Sequence, residues 1–146
     1  MKRIKNFMAT VLSLVFMASI ANAQTISEQV SIISGEHEAL LAKVNEANTG
    51  SVSDYKAWIG EVEGLFEKVK KSQVALGKKF RPAEKKKFEG ALAGMEKSYA
   101  NADKHLKNLK TEAGKPKPSI GKLKQSIKFF VSQISEAEKN NQQISG

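Results

Sequence analysis

The chain has 146 residues, with 24 basic against 15 acidic side chains and a net charge of +9. It contains no cysteine, which excludes disulfides, thiolate catalysis, thiolate metal sites and haem attachment through a CxxCH motif. A domain of this composition must hold together by packing alone.

The N-terminus reads as an export signal spanning residues 1–23. Lys2, Arg3 and Lys5 form a positive start, and an apolar stretch from Phe7 to Ile20 is interrupted only by Thr10, Ser13 and Ser19. Ala21-Asn22-Ala23 then supplies the small-x-small pattern of a signal-peptidase site. A bilayer-spanning helix needs roughly 20 apolar residues, so no transmembrane anchor is expected here. Cleavage after Ala23 leaves residues 24–146 as one domain beginning at Gln24, with no cysteine to carry a lipid. The cut removes three basic residues and no acidic ones, leaving 123 residues with a net charge of +6. The expected location is periplasmic or secreted.

Residues 24–146 predict four helices. The first carries the seam Ile26, Val30, Ile33, His37, Leu40, Val44, Ala47, with Thr25 and Glu28 as a capping box and residues 48–51 as its end. The second carries Tyr55, Trp58, Val62, Leu65, Val69, Ser72, Leu76, widened by Ile59 and Phe66; Ser51 or Ser53 caps it and Gly77 closes it. Pro82 suits the first turn of the third helix, whose seam is Phe88, Leu92, Met95, Tyr99, Ala102, Leu106, Leu109. After the break at residues 114–118, the fourth seam is Ile120, Leu123, Ile127, Phe130, Ile134, Ala137, Asn141, Ile144. Apolar spacing of three and four sustained over whole segments is a helix signal, and no strand-like alternation competes with it. Short connections make sequential helices antiparallel. The expected fold is therefore all-α, an up-down-up-down four-helix bundle formed after signal removal. A monomer is favoured over a helical hairpin that dimerises.

Chemistry-bearing residues are sparse. His37 lies on its seam between Ile33 and Leu40, while His105 lies beside the third seam at a different expected height, a poor arrangement for two axial haem ligands. Neither histidine has a glutamate three residues before it, as a di-iron bundle requires. No Gly-x-Ser-x-Gly elbow or glycine-rich phosphate loop occurs. The expectation is a non-enzymatic protein with no metal and no cofactor.

Charge is patterned more sharply. Residues 24–50 carry a net charge of −3, whereas residues 77–128 carry +10. In an antiparallel bundle these lysines divide between the two ends. Lys78, Lys79, Arg81, Lys85, Lys86 and Lys87 gather around the second loop and form the candidate anion- or partner-binding cluster. Lys85–Lys87 are expected in the first turns of the third helix, where positive charge is disfavoured by the dipole and free N–H groups attract anions. The opposite cluster, which includes Lys107, Lys110, Lys117, Lys122 and Lys124, is explained by a helix C-terminus and a solvated loop. Twenty of the 21 basic residues after Gln24 are lysine, which lacks the bidentate fork of arginine, so sequence-specific nucleic-acid reading is not expected. The expected partner is an acidic protein or an anionic envelope polymer or lipid. The second reading is a carrier holding haem or another apolar ligand near Trp58, Tyr99 and His37. Gly60 and Gly64, and likewise Gly90 and Gly94, fall on outward positions of their helices.

Overall fold

The computed structural model describes residues 26–145. The export signal, its cleavage site and the Thr25 half of the expected capping box lie outside them. Among the described residues every regular element is helical: α1 (residues 26–45), α2 (Tyr55–Lys79), α3 (Pro82–Lys87), α4 (Glu89–Ala113) and α5 (Ile120–Ser145). None of these helices is long and apolar enough to cross a membrane.

The helix ends are set by local chemistry. After α1, Ser51 N–H bonds back to the Glu46 carbonyl (3.1 Å) and Gly50 takes φ +74°, a left-handed turn that a glycine enters without Cβ strain. The cap of α2 is Asp54, not Ser51 or Ser53; its carboxylate accepts the N–H groups of Lys56 (3.0 Å) and Ala57 (3.2 Å). Gly77 does not close α2, which continues to Lys79. Arg81 is extended (φ −72°, ψ 158°), as a residue preceding proline tends to be. Pro82 then opens α3, and the Glu84 carboxylate accepts the Arg81 N–H (3.1 Å). That is half of a capping box, since arginine has no side-chain acceptor to return the bond.

The expected third helix is two helices. The run is interrupted at Phe88 (φ −105°, ψ 10°), whose half-buried ring packs on Phe80 with centroids 5.7 Å apart. At the other end of α4, buried Glu112 accepts the Ser119 N–H (2.8 Å) and the Lys115 ammonium (2.6 Å), fastening the loop that leads into α5. These two bonds hold the Glu112 carboxyl below its ordinary range.

Side-chain pairs fix how neighbouring helices run. Gln29 reaches the Ser72 carbonyl, and the Trp58 indole N–H donates to the Lys43 carbonyl (2.9 Å), so α1 and α2 are antiparallel. Lys110 meets Glu63 (2.8 Å) and Lys70 meets Asp103 (3.5 Å), so α2 and α4 are too. Asn101 donates to Gln133 (3.4 Å) for α4 and α5, and Asn141 donates to the Val30 carbonyl (3.0 Å) for α5 and α1.

The core lies along the shared axis. Phe66 stands edge-on to Phe130 (5.3 Å) and to Tyr99 (5.9 Å), joining α2, α5 and α4. Edge-to-face pairs of this kind contribute about 0.5–1.5 kcal/mol beyond area burial. The seams of α1, α4 and α5 are buried as expected apart from their terminal members: Ile26 and Phe88 are half-buried, and Ile120 is exposed. On α2 the stripe differs. Phe66 and Gln73 are buried, whereas Leu65 and Ser72 are only partly so. A straight helix repeats at 3.6 residues, so its inward face drifts away from a strict seven-residue seam.

Candidate functional site

The six cations singled out by sequence stand at one end of the molecule. Lys78 and Lys79 occupy the last turn of α2, Arg81 the extended link, and Lys85, Lys86 and Lys87 the last turn of α3. This corrects the placement of the last three. They lie at the C-terminus of a short helix, where the dipole favours positive charge, and not at the start of a long one. The argument from dipole penalty therefore falls, and with it the helix-start anion site, because α3 is only six residues long. Among the described residues none of the six pairs with a carboxylate, which is equally true of Lys117, Lys122 and Lys124 at the other end, whereas Lys43, Lys70, Lys107, Lys110, Lys115 and Lys139 each do. The Lys87 ammonium instead sits over the Phe88 ring (5.1 Å).

Lys78, Lys85 and Lys86 converge on one groove of about 760 Å³ between α2 and the α3–α4 segment. Lys79, Arg81 and Lys87 do not line it. Val74, Leu92 and Ala93 supply apolar wall, and Glu89 and Glu96 stand along α4. Gln73 faces the same groove and is 8% exposed. A strict heptad reading puts Ser72 in its place. The 3.6-residue drift that buries Phe66 also buries Gln73, and that drift was the available signal.

The second polar constellation is closed. His37 is 1% exposed, with Nδ1 at 2.5 Å from Glu138 and Nε2 at 2.7 Å from the Tyr99 hydroxyl. One arrangement gives every proton an acceptor: Tyr99 O–H donates to Nε2, and Nδ1–H donates to Glu138. Glu138 also accepts from Ser34 Oγ (2.7 Å), and Asn141 donates to Ser34 and to the Val30 carbonyl, at 3.0 Å each. Burial alone would raise the Glu138 carboxyl; the bonds from His37 and Ser34 outweigh it and hold the group below the usual carboxylate range. Burial, then the charges of Glu138 and Glu36, push the Tyr99 hydroxyl up, so it stays protonated. Sequence placed His37 on the seam, but Glu138, beside the fourth seam and paired in sequence with Glu136, reads there as a solvated face; its half-buried bond to His37 corrects that.

The residues of the interior-carrier reading, His37, Trp58 and Tyr99, are each buried and hydrogen-bonded within the described chain. Both ring nitrogens of His37 are engaged, and the Trp58 indole is bonded to the backbone of α1 and packed against Tyr55 (5.9 Å). His105 stacks on Phe129 (5.1 Å) and does not approach His37. Among the described residues no three histidine, aspartate or glutamate side chains gather as a metal site. Gly94 is not outward-facing: a Cβ there would lie 2.5 Å from Asn140 Oδ1 of α5, whereas Gly60, Gly64 and Gly90 face open space. Comparisons with protein-family models, with curated proteins and with solved structures find no match to this chain.

Proposed function

We propose that this chain is an exported, non-enzymatic four-helix bundle that acts by surface contact. Residues 1–23 are removed after Ala23, and residues 24–146 form one up-down-up-down, monomeric domain in the periplasm or outside the cell. Its partner is an acidic protein or an anionic envelope component, met by Lys78, Lys79, Arg81, Lys85, Lys86 and Lys87. The observation that carries this reading is clustering: six cations without a carboxylate partner among the described residues share one end, and Lys78, Lys85 and Lys86 line a single groove there. Exposed charges of this kind attract anions at low salt and lose that attraction as the Debye length falls from about 30 Å at 0.01 M to about 10 Å at 0.1 M.

The test compares two triple variants on an anionic matrix. Replacing Lys85, Lys86 and Lys87 with glutamine should reduce retention more than replacing Lys117, Lys122 and Lys124, although each set removes three charges. The first variant should keep its fold and lose only a few tenths of a kcal/mol, since it gives up favourable charge at the C-terminus of α3. Equal losses would mean that net charge alone governs retention and would overturn the site. Mass spectrometry of protein from its native host should find an N-terminus at Gln24.

A further inference from the structure

The bundle has an open side, and its chemistry specifies an occupant more closely than charge does. Helix α4 approaches α5 along its length but approaches α2 at far fewer positions. Contacts hold α2 to α4 at Glu63–Lys110 and Lys70–Asp103. Continued at the same register they would bring Gly77 opposite Glu96, yet both residues line the groove instead.

We propose that this α2–α4 groove docks an acidic amphipathic helix of a partner protein. The inference rests on the reading that the lysine end meets an acidic partner. Two further features carry it. Gly77 sits inside α2 at a cost of about 1 kcal/mol relative to alanine, with nothing within 4 Å of where its Cβ would stand. That missing side chain leaves the groove wall low enough for another backbone to approach. Among the described residues, Lys78, Lys85 and Lys86 then lie without a salt bridge at the α3 end, where they outnumber Glu89 at the start of α4, while Glu96 stands farther along that helix. Carboxylates of the guest therefore settle toward α3, which sets its direction.

The groove's shape selects a helix. It is an open furrow, so an alkyl chain lying in it would leave much of its surface wet and forfeit much of the roughly 25 cal/mol per Å² that burial supplies. An amphipathic helix buries only its apolar stripe, here against Val74, Leu92 and Ala93, and keeps its polar face in water. An extended peptide would need a sheet edge, and both walls are helices whose backbones are internally bonded. From Glu89 to Glu96 the α4 wall is about 10 Å long, or two helical turns. A shallower depression of about 500 Å³ continues along α2 past Lys71 and Ala75.

Two labelled peptides of about 15 residues, the length at which an isolated helix begins to hold, test this against the whole mature protein. They share one glutamate- and leucine-rich composition; one places its leucines on a single helical face, and the other is scrambled. Fluorescence anisotropy should show the amphipathic peptide binding at least about tenfold tighter, a margin of about 1.4 kcal/mol. The double variant Gly77→Gln/Ala93→Gln fills the groove without altering charge. It should keep its helical circular dichroism and abolish that tenfold difference while retaining weak, salt-sensitive binding of both peptides. The variant Lys85→Gln/Lys86→Gln should weaken the amphipathic peptide and flatten its salt dependence. Equal binding of the two peptides to the unaltered protein overturns the groove and leaves the surface-contact reading standing. Absence of any peptide binding at low salt overturns both. Capture by phosphatidylglycerol vesicles, equal for the unaltered and groove-filled proteins and unaccompanied by peptide discrimination, assigns the lysines to a membrane and overturns the helix partner. A dimer that the groove-filling variant makes monomeric in sedimentation assigns the groove to a second copy and equally overturns it.

Discussion

Along α5, helix α4 keeps one antiparallel register from Asn101 opposite Gln133 to Gly94 against Asn140. Along α2 it is held through Lys110 and Asp103, then parts from it, leaving the groove between Gly77 and Ala93. The same kind of residue serves both faces. Gly94 lets α5 come so close that a Cβ would meet the Asn140 side chain, whereas Gly77 faces empty space. A small residue in a helix thus permits close approach without causing it. What decides is whether the opposite helix carries side chains that reach across. On the closed side Asn140 does, and Ser34, His37 and Glu138 bond α1 to α5. On the open side the groove-lining positions near the loop include Gly77, Ala93 and Gln73.

The largest expected effect sharpens that contrast in the core. Phe66 is fully buried against Phe130 and Tyr99, so Phe66→Ala should cost about 3–5 kcal/mol in urea unfolding. Leu92 is 8% exposed on the groove wall, so Leu92→Ala should fall near the bottom of the range for such changes, at about 2 kcal/mol. Equal costs would mean that the groove is as tightly packed as the axis.

Next comes the polar layer. Tyr99→Phe leaves Nε2 of buried His37 with no donor and should cost about 1–3 kcal/mol. A loss below about half a kcal/mol would show that the hydroxyl bond is dispensable.

Acid should act on the same layer. Because Glu138 is held below its ordinary carboxylate range when folded, the unfolded chain binds protons at higher pH than the folded one does. Its stabilisation is complete above the unfolded value, near pH 4.3, and is lost as pH falls through the lower folded value. Glu138→Gln should therefore flatten the dependence of the urea midpoint on pH in the range below about pH 4. Glu112, which is shifted in the same direction, contributes its own slope to both proteins and cancels in the comparison.

The smallest effect returns to the glycines. Gly77→Ala should stabilise the protein by up to about 1 kcal/mol, through helix propensity alone, because space is open above it. Gly94→Ala should gain less, since Asn140 must give up its bond to the Glu136 carbonyl in order to move. Thermal unfolding of the two variants decides the order, and the reverse order would undo the distinction between the faces.

Helical class was legible from apolar spacing, and so were three of the four seams, because burial in a helix of fixed pitch leaves a periodic mark on sequence. The second seam was displaced at Leu65 and Ser72 because a seven-residue template was imposed on a straight 3.6-residue helix. Helix ends were less legible. Asp54 competed with two serines for one cap, and Gly77 read as a terminator although its backbone stays helical. The lysine cluster was visible as composition, but its register on α3 was not, since nothing local foretells the interruption at Phe88.

Residue order alone determined the lack of thiol chemistry, the helical periodicity and the concentration of positive charge, since each is a property of composition or of spacing within one segment. Tertiary structure alone decided that His37 meets Glu138 and Tyr99 across more than 60 residues of chain. It also decided that Gln73 faces a groove and that Gly94 and Gly77 meet different surroundings. These outcomes depend on the distance and register between helices, which arise from many side chains packing at once, and no single segment encodes them.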